Sequence, residues 1–175
     1  MAVFRIIYTD AEGLHQIVPD DRERRPSELD AAFAARLAAL SVPAATPFRI
    51  VAATDFPLRP DGQHDRRFRE AWRDNGAGPV VVGMPRARLQ RRRELLALRD
   101  VGTLPDVPPA VAVGKLVLVE RQLQDAIDTG APPATITALR AKRQRLRNLE
   151  TTIDADLALQ LTPAALAAFV PPDLV

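Results

Sequence analysis

Few residue types start chemistry at neutral pH, and this chain has few of them. There is no cysteine, which removes thiol nucleophiles, disulfides and thiolate metal sites. The two histidines, His15 and His64, stand far apart and are expected on different kinds of element. A zinc site needs about four ligands, usually with close pairs, and no such spacing is present. Ser27 reads as a helix cap and Ser41 as a helix terminator, so neither fits a nucleophile elbow. Gly76, Gly78 and Gly83 match neither G-x-G-x-x-G nor a phosphate-binding loop with Gly-Lys-Ser/Thr. The acid pairs Asp20/Asp21 and Asp154/Asp156 lie in charged surroundings, where carboxylates are normally solvated. His64, between Asp61 and Asp65, is the one place that suggests acid–base work. The expectation is a protein without enzymatic activity, catalytic residue, cofactor, metal or small-molecule substrate.

The next chemistry to weigh is charge. The net charge is +2, yet of 24 basic residues all but Lys115 and Lys142 are arginine. Together with 16 prolines and abundant alanine, that is what a GC-rich genome writes. A sequence pI of about 9.6 invites a nucleic-acid reading through phosphate neutralisation. The best cluster for it is Arg86, Arg88, Arg91, Arg92, Arg93 and Arg99. Against it stand 22 acidic residues and the lack of aromatics interleaved with the arginines. Arginine also suits protein interfaces, because its planar fork makes two parallel bonds. No apolar run reaches the ~18 residues a membrane helix needs, and the first residues, MAVFRIIYTDAEG, lack the pattern of a signal peptide.

The elements that must position these residues follow from periodicity and punctuation. Residues 3–9 and 14–18 read as a β-hairpin, with Gly13 supplying a positive φ at the turn. The run 20–25 is a charged loop. Ser27 and Asp30 resemble a capping box for a helix whose face is Leu29, Phe33, Leu37 and Leu40, stopped at Ser41-Val42-Pro43. Residues 48–53 read as a buried strand and 54–64 as a loop. Asp65 would cap a short helix over 66–74, placing the structural anchors Phe68 and Trp72 at i, i+4. Residues 79–83 read as a strand and 85–99 as a helix with Pro85 in its first turn. On that helix Leu89 and Leu96 share a face while Leu95 and Leu98 point elsewhere.

The segment 100–114 has three prolines and two glycines and no helical period, so it reads as a linker. Beyond it, Leu116, Val119, Leu123 and Ile127 form a stripe on a helix over 115–128. Leu139, Leu146 and Ile153, flanked by Ile136 and Leu149, form another over 134–153. Joined by the turn at Gly130-Ala131-Pro132, these make an antiparallel helical hairpin with a coiled-coil-like seam. A two-helix hairpin buries little by itself, so the seam is expected to be covered by other subunits or by the rest of the chain. Thr162 and Pro163 start a terminal helix, and the last residues, 173–175, look like a free docking tail. The fold expected is α+β. An α+β domain over 1–99, with its hairpin and short strands packed on helices, is followed by the linker and by a helical hairpin plus terminal helix over 115–175. The candidate interface residues are Leu116, Val119, Leu123, Ile127, Leu139, Leu146, Leu149, Ile153, Arg91 and Arg92.

Three stretches in order carry a resemblance: LAALSVPAATPFRIVAATDFP, DRRFREAWRDNGAGPVVVGMPRARLQRRRELLALR, and ALRAKRQRLRNLE followed by LTPAALAAFVP. The chain resembles a family of small accessory and structural proteins encoded among the tail and tail-fibre genes of tailed bacteriophages and prophages. The matching positions are Asp65, Arg66, Phe68, Arg69, Ala71, Trp72, Met84, Ala87 and Arg88, then Thr162, Pro163 and Leu166. Gly83 stands where that pattern has an acidic residue, and the proline-rich 100–114 interrupts a more continuous helix. The resemblance implies no catalytic motif. It implies a virion component of tail, tail tip or fibre attachment, made in a bacterial cytoplasm. Its partners would be copies of itself and other phage proteins, with no membrane and no nucleic acid. A non-virion tail assembly chaperone is the alternative, and a nucleic-acid-binding module using helix 85–99 the second alternative.

Overall fold

The computed structural model describes residues 4–59, 63–101 and 113–175. The fold is α+β, and the chain divides into two compact units, Met1–Ala87 and Arg88–Val175.

In the first unit, β1 (Phe4–Thr9) and β2 (Leu14–Ile17) form the expected hairpin, with Ile6 opposite Ile17 and Thr9 opposite Leu14. The Asp10 amide donates to the Gly13 carbonyl at 3.0 Å, and Gly13 takes φ +137°, which a side chain rarely tolerates. β3 (Phe48–Ala52) pairs antiparallel with the other edge of β1, giving the order β2-β1-β3. The central strand is buried on both faces. Phe4 and Ile6 pack against Phe33, Ala34, Leu37 and Ala38 of α1 (Asp30–Ser41). Ile7 and Val51 pack against Phe56, Trp72 and Val80 on the other side.

Four expectations need correcting here. β3 is an outer strand rather than a buried one. α1 packs on Phe4 and Ile6 and leaves Phe48 46% and Ile50 44% exposed, so of β3 only Val51 is buried. Ser27 does not cap α1, because its φ is +62° and the helix begins only at Asp30. The reason is Glu28. Its carboxylate accepts from the Arg25 amide at 3.0 Å and from Arg36 Nε and Nη2 at 2.9 and 2.8 Å, folding 25–29 into a turn ahead of the helix. Leu29 and Leu40, at the two ends of α1, are 77% and 75% exposed, and the buried face is Phe33, Ala34, Leu37 and Ala38.

The fourth correction concerns 66–74, which is not a helix. A 3-10 turn at Arg69–Ala71 leads straight into β4 (Trp72–Arg73), which pairs antiparallel with β5 (Val81–Val82). Trp and Val favour a pleated, half-buried surface, and two cross-links hold the pair in place. The Gly83 amide donates to the Ala71 carbonyl at 2.7 Å, and the Val80 amide to the Asp55 carbonyl at 2.8 Å. Phe68 and Trp72 are both buried, as anchors should be, but not as neighbours on one helix face. Trp72 instead lies 5.3 Å, centroid to centroid, from Phe56.

The division between units falls inside α2 (Met84–Asp100), after Ala87, and not at 99/100. Within the second unit, Arg88, Arg91 and Arg92 of α2 bond to residues between 150 and 169, and Leu95 is fully buried, so α2 is part of this unit's core. α3 (Lys115–Asp128) has the bounds its sequence suggests, and α4 (Pro133–Ala158) packs antiparallel on it beyond the turn at Gly130, where φ is +67°. α4 continues past 153 because Leu157 carries its buried stripe one turn further. α5 (Pro163–Ala168) starts as expected, with Thr162 Oγ1 accepting from the Ala165 amide at 3.1 Å. At the head of α3, Gly114 meets the end of α2 so closely that a methyl group on it would run into the Asp100 carbonyl oxygen. The linker expected over 100–114 falls mostly on 102–112, outside the described residues.

Candidate functional site

Of the two covers expected for the helical seam, other subunits or the rest of the chain, the chain itself supplies most. Val119, Leu123, Leu146, Leu149 and Ile153 are buried within the second unit, and Leu116 and Leu139 are partly buried. Ile127 alone of the eight is exposed. Burying a Leu or Ile side chain is worth about 1.5–3 kcal/mol, and α2, α3, α4 and α5 together supply that burial in one chain. Val119, Leu123, Leu146, Leu149 and Ile153 are therefore core, with Leu116 and Leu139 at its margin.

The arginines of α2 are likewise turned inward. The end of a helix leaves four carbonyls without partners, and guanidinium groups of α2 meet one at the end of α4 and one at the end of α5. Arg88 Nη2 donates to the carbonyls of Ala158 and Gln160 at 3.2 and 3.1 Å, where α4 ends. Arg91 Nη2 donates at 2.8 Å to the carbonyl of Phe169, the residue that closes α5, and its Nη1 reaches Glu94 at 2.8 Å. Arg92 bonds the Glu150 carbonyl at 3.2 Å and pairs with Asp154 at 3.0 Å. Arg99 is held by Asp100 at 2.6 and 2.7 Å, and this pair keeps its guanidinium above the usual arginine range despite partial burial. Arg91 and Arg92, named as interface residues, bond within their own unit, Arg91 buried and Arg92 on the surface of α4. Arg86 lies against Gly13 in the first unit, and of the cluster Arg93 is the one that simply faces solvent.

The terminal tail is not free either. A 3-10 turn at Pro172–Leu174 packs on α4, with Leu174 only 4% exposed. Arg145 Nε and Nη2 bond the Asp173 carboxylate at 2.8 and 2.9 Å. That fork, with Lys142 nearby, holds the Asp173 carboxyl below its ordinary range against the opposing effect of burial.

Among the described residues, each histidine is engaged in local structure. His15 Nε2 bonds Asp10 Oδ1 at 2.9 Å and its ring stacks on Tyr8 at 4.9 Å. The same Asp10 oxygen accepts from the amides of Glu12 and Gly13, so the histidine completes a turn. His64 Nε2 donates to the Ala53 carbonyl at 2.9 Å, and its ring packs on Phe56 at 5.5 Å. Its flanking Asp61 lies outside the described residues. Among the described residues no group of three or more His, Cys, Asp or Glu side chains could hold a metal ion. Also among them, no helix is long and apolar enough to cross a membrane.

Sequence reading missed the pairs that tie distant segments together. Arg49 reaches from β3 to the carboxylate of Asp74 and donates at 2.8 Å to the Gly78 carbonyl. Arg24 and Arg36 lie over the Phe33 ring at 4.9 and 5.2 Å, and Arg36 pairs with Glu28. Such partners have no fixed spacing, so no local pattern announces them. Open to solvent among the described residues are shallow grooves of about 440 Å³, bordered by Glu12, His15, Arg69 and Glu70, and of about 370 Å³, bordered by Tyr8, Pro47, Phe48, Arg49 and Asp74, together with the outer strand β3 and scattered leucines. In comparisons with known proteins, no family model, no curated protein and no solved structure matches this chain.

Proposed function

We propose that this chain is a non-enzymatic phage virion structural protein, a component of the tail, tail tip or fibre attachment that works through protein–protein contacts and self-association. One observation carries the reading. Half of the twelve residues by which the sequence resembles that family are framework residues: Phe68, Ala71, Trp72, Ala87 and Leu166 are buried, and Thr162 caps α5, while Arg66 and Arg69 are exposed. A family defined by such positions shares a scaffold whose working parts are its surfaces, as an architectural protein requires. The bonds of Arg88, Arg91 and Arg92 to backbone carbonyls, and of Arg99 to the Asp100 carboxylate, weigh against the nucleic-acid alternative, since a guanidinium engaged within its own unit is less free for phosphate.

Mass spectrometry of purified particles, with negative-stain microscopy of a tagged copy, tests the proposal. A fixed copy number per particle is the expected result. Absence from finished particles, with tails failing to form when the gene is deleted, would point to the assembly chaperone instead. A duplex-DNA shift that weakens between low and physiological salt would favour the nucleic-acid alternative.

A further inference from the structure

No further inference is drawn: the strongest candidate, the apolar patch on the turn between α4 and α5 where Leu159 and Leu161 stand 74% and 78% exposed, has nothing in the structure to show what covers it.

Discussion

Replacing Arg91 separates an architectural arginine helix from a binding one. Arg91 and its partner Glu94 have side chains only 8% and 13% exposed. Truncation to alanine removes a charged hydrogen bond to the Phe169 carbonyl and leaves Glu94 without its cation. A hydrogen bond to a charged group contributes about 1.5–3 kcal/mol, and stripping one partner from a buried pair costs about 3–5 kcal/mol. The Arg91–Glu94 pair is not fully buried, so R91A is expected to lose about 3 kcal/mol, toward the lower end of that range. For a chain of this length each kcal/mol moves the melting temperature by about 2–4 °C, giving a drop of roughly 6–12 °C. R91K keeps a charge beside Glu94 but loses the planar fork, and about 1–1.5 kcal/mol is expected. R93A, at a solvent-facing position, should stay within about 0.5 kcal/mol of the parent. Urea unfolding followed by circular dichroism at 222 nm reads the helices, which dominate the second unit. If R91A matched the parent within that margin, or R93A cost as much as R91A, the account of α2 would be wrong.

Gly114→Ala drives a methyl into the backbone of Asp100 and Arg99; with φ −56° there is no compensating relief of strain, and a loss of about 1–3 kcal/mol is expected. Gly78→Ala, whose new methyl meets only the Asn75 side chain at 3.4 Å, is the control and should be near neutral in the same melt. Glu28 is held down to about 2 from an ordinary 4.5 by the Arg36 fork and the Arg25 amide. A depressed carboxyl stabilises the fold fully above its unfolded value and loses that contribution as pH falls from about 4.5 toward 2. The melting temperature of E28Q should therefore decline less steeply than the parent's across that window, and parallel curves would remove Glu28 from the explanation. At the tail, Leu174→Ala should cost about 2–4 kcal/mol as a buried truncation. Asp173→Asn, breaking a pair whose arginine is well exposed, should cost under about 1 kcal/mol and less in high salt. A neutral Leu174→Ala would mean that the tail does not dock.

Local signals were read correctly where local physics decides. α3 needed only its apolar period between Gly114 and Thr129, α5 its Thr-Pro start, and the hairpin its Gly13. They misled where a distant partner prevailed. Ser27 has the chemistry of a cap, but Glu28 is claimed by Arg36 a full turn into the helix, and the chain bends before capping can occur. Phe68 and Trp72 have helical spacing, but pairing with Val82 draws Trp72 into a strand. The candidate site suffered most. Apolar seams and arginine runs look alike in sequence whether they face a partner or the chain's own interior, and only the positions of the α4 and α5 carbonyls tell the two apart.

Gly114 pressed on Asp100 means that the polypeptide leaves α2 and enters α3 at one place in space. The two helix ends therefore act as a fixed joint: a bulkier residue on either side of the contact must push one helix axis away from the other, and the packing of both helices would carry the displacement.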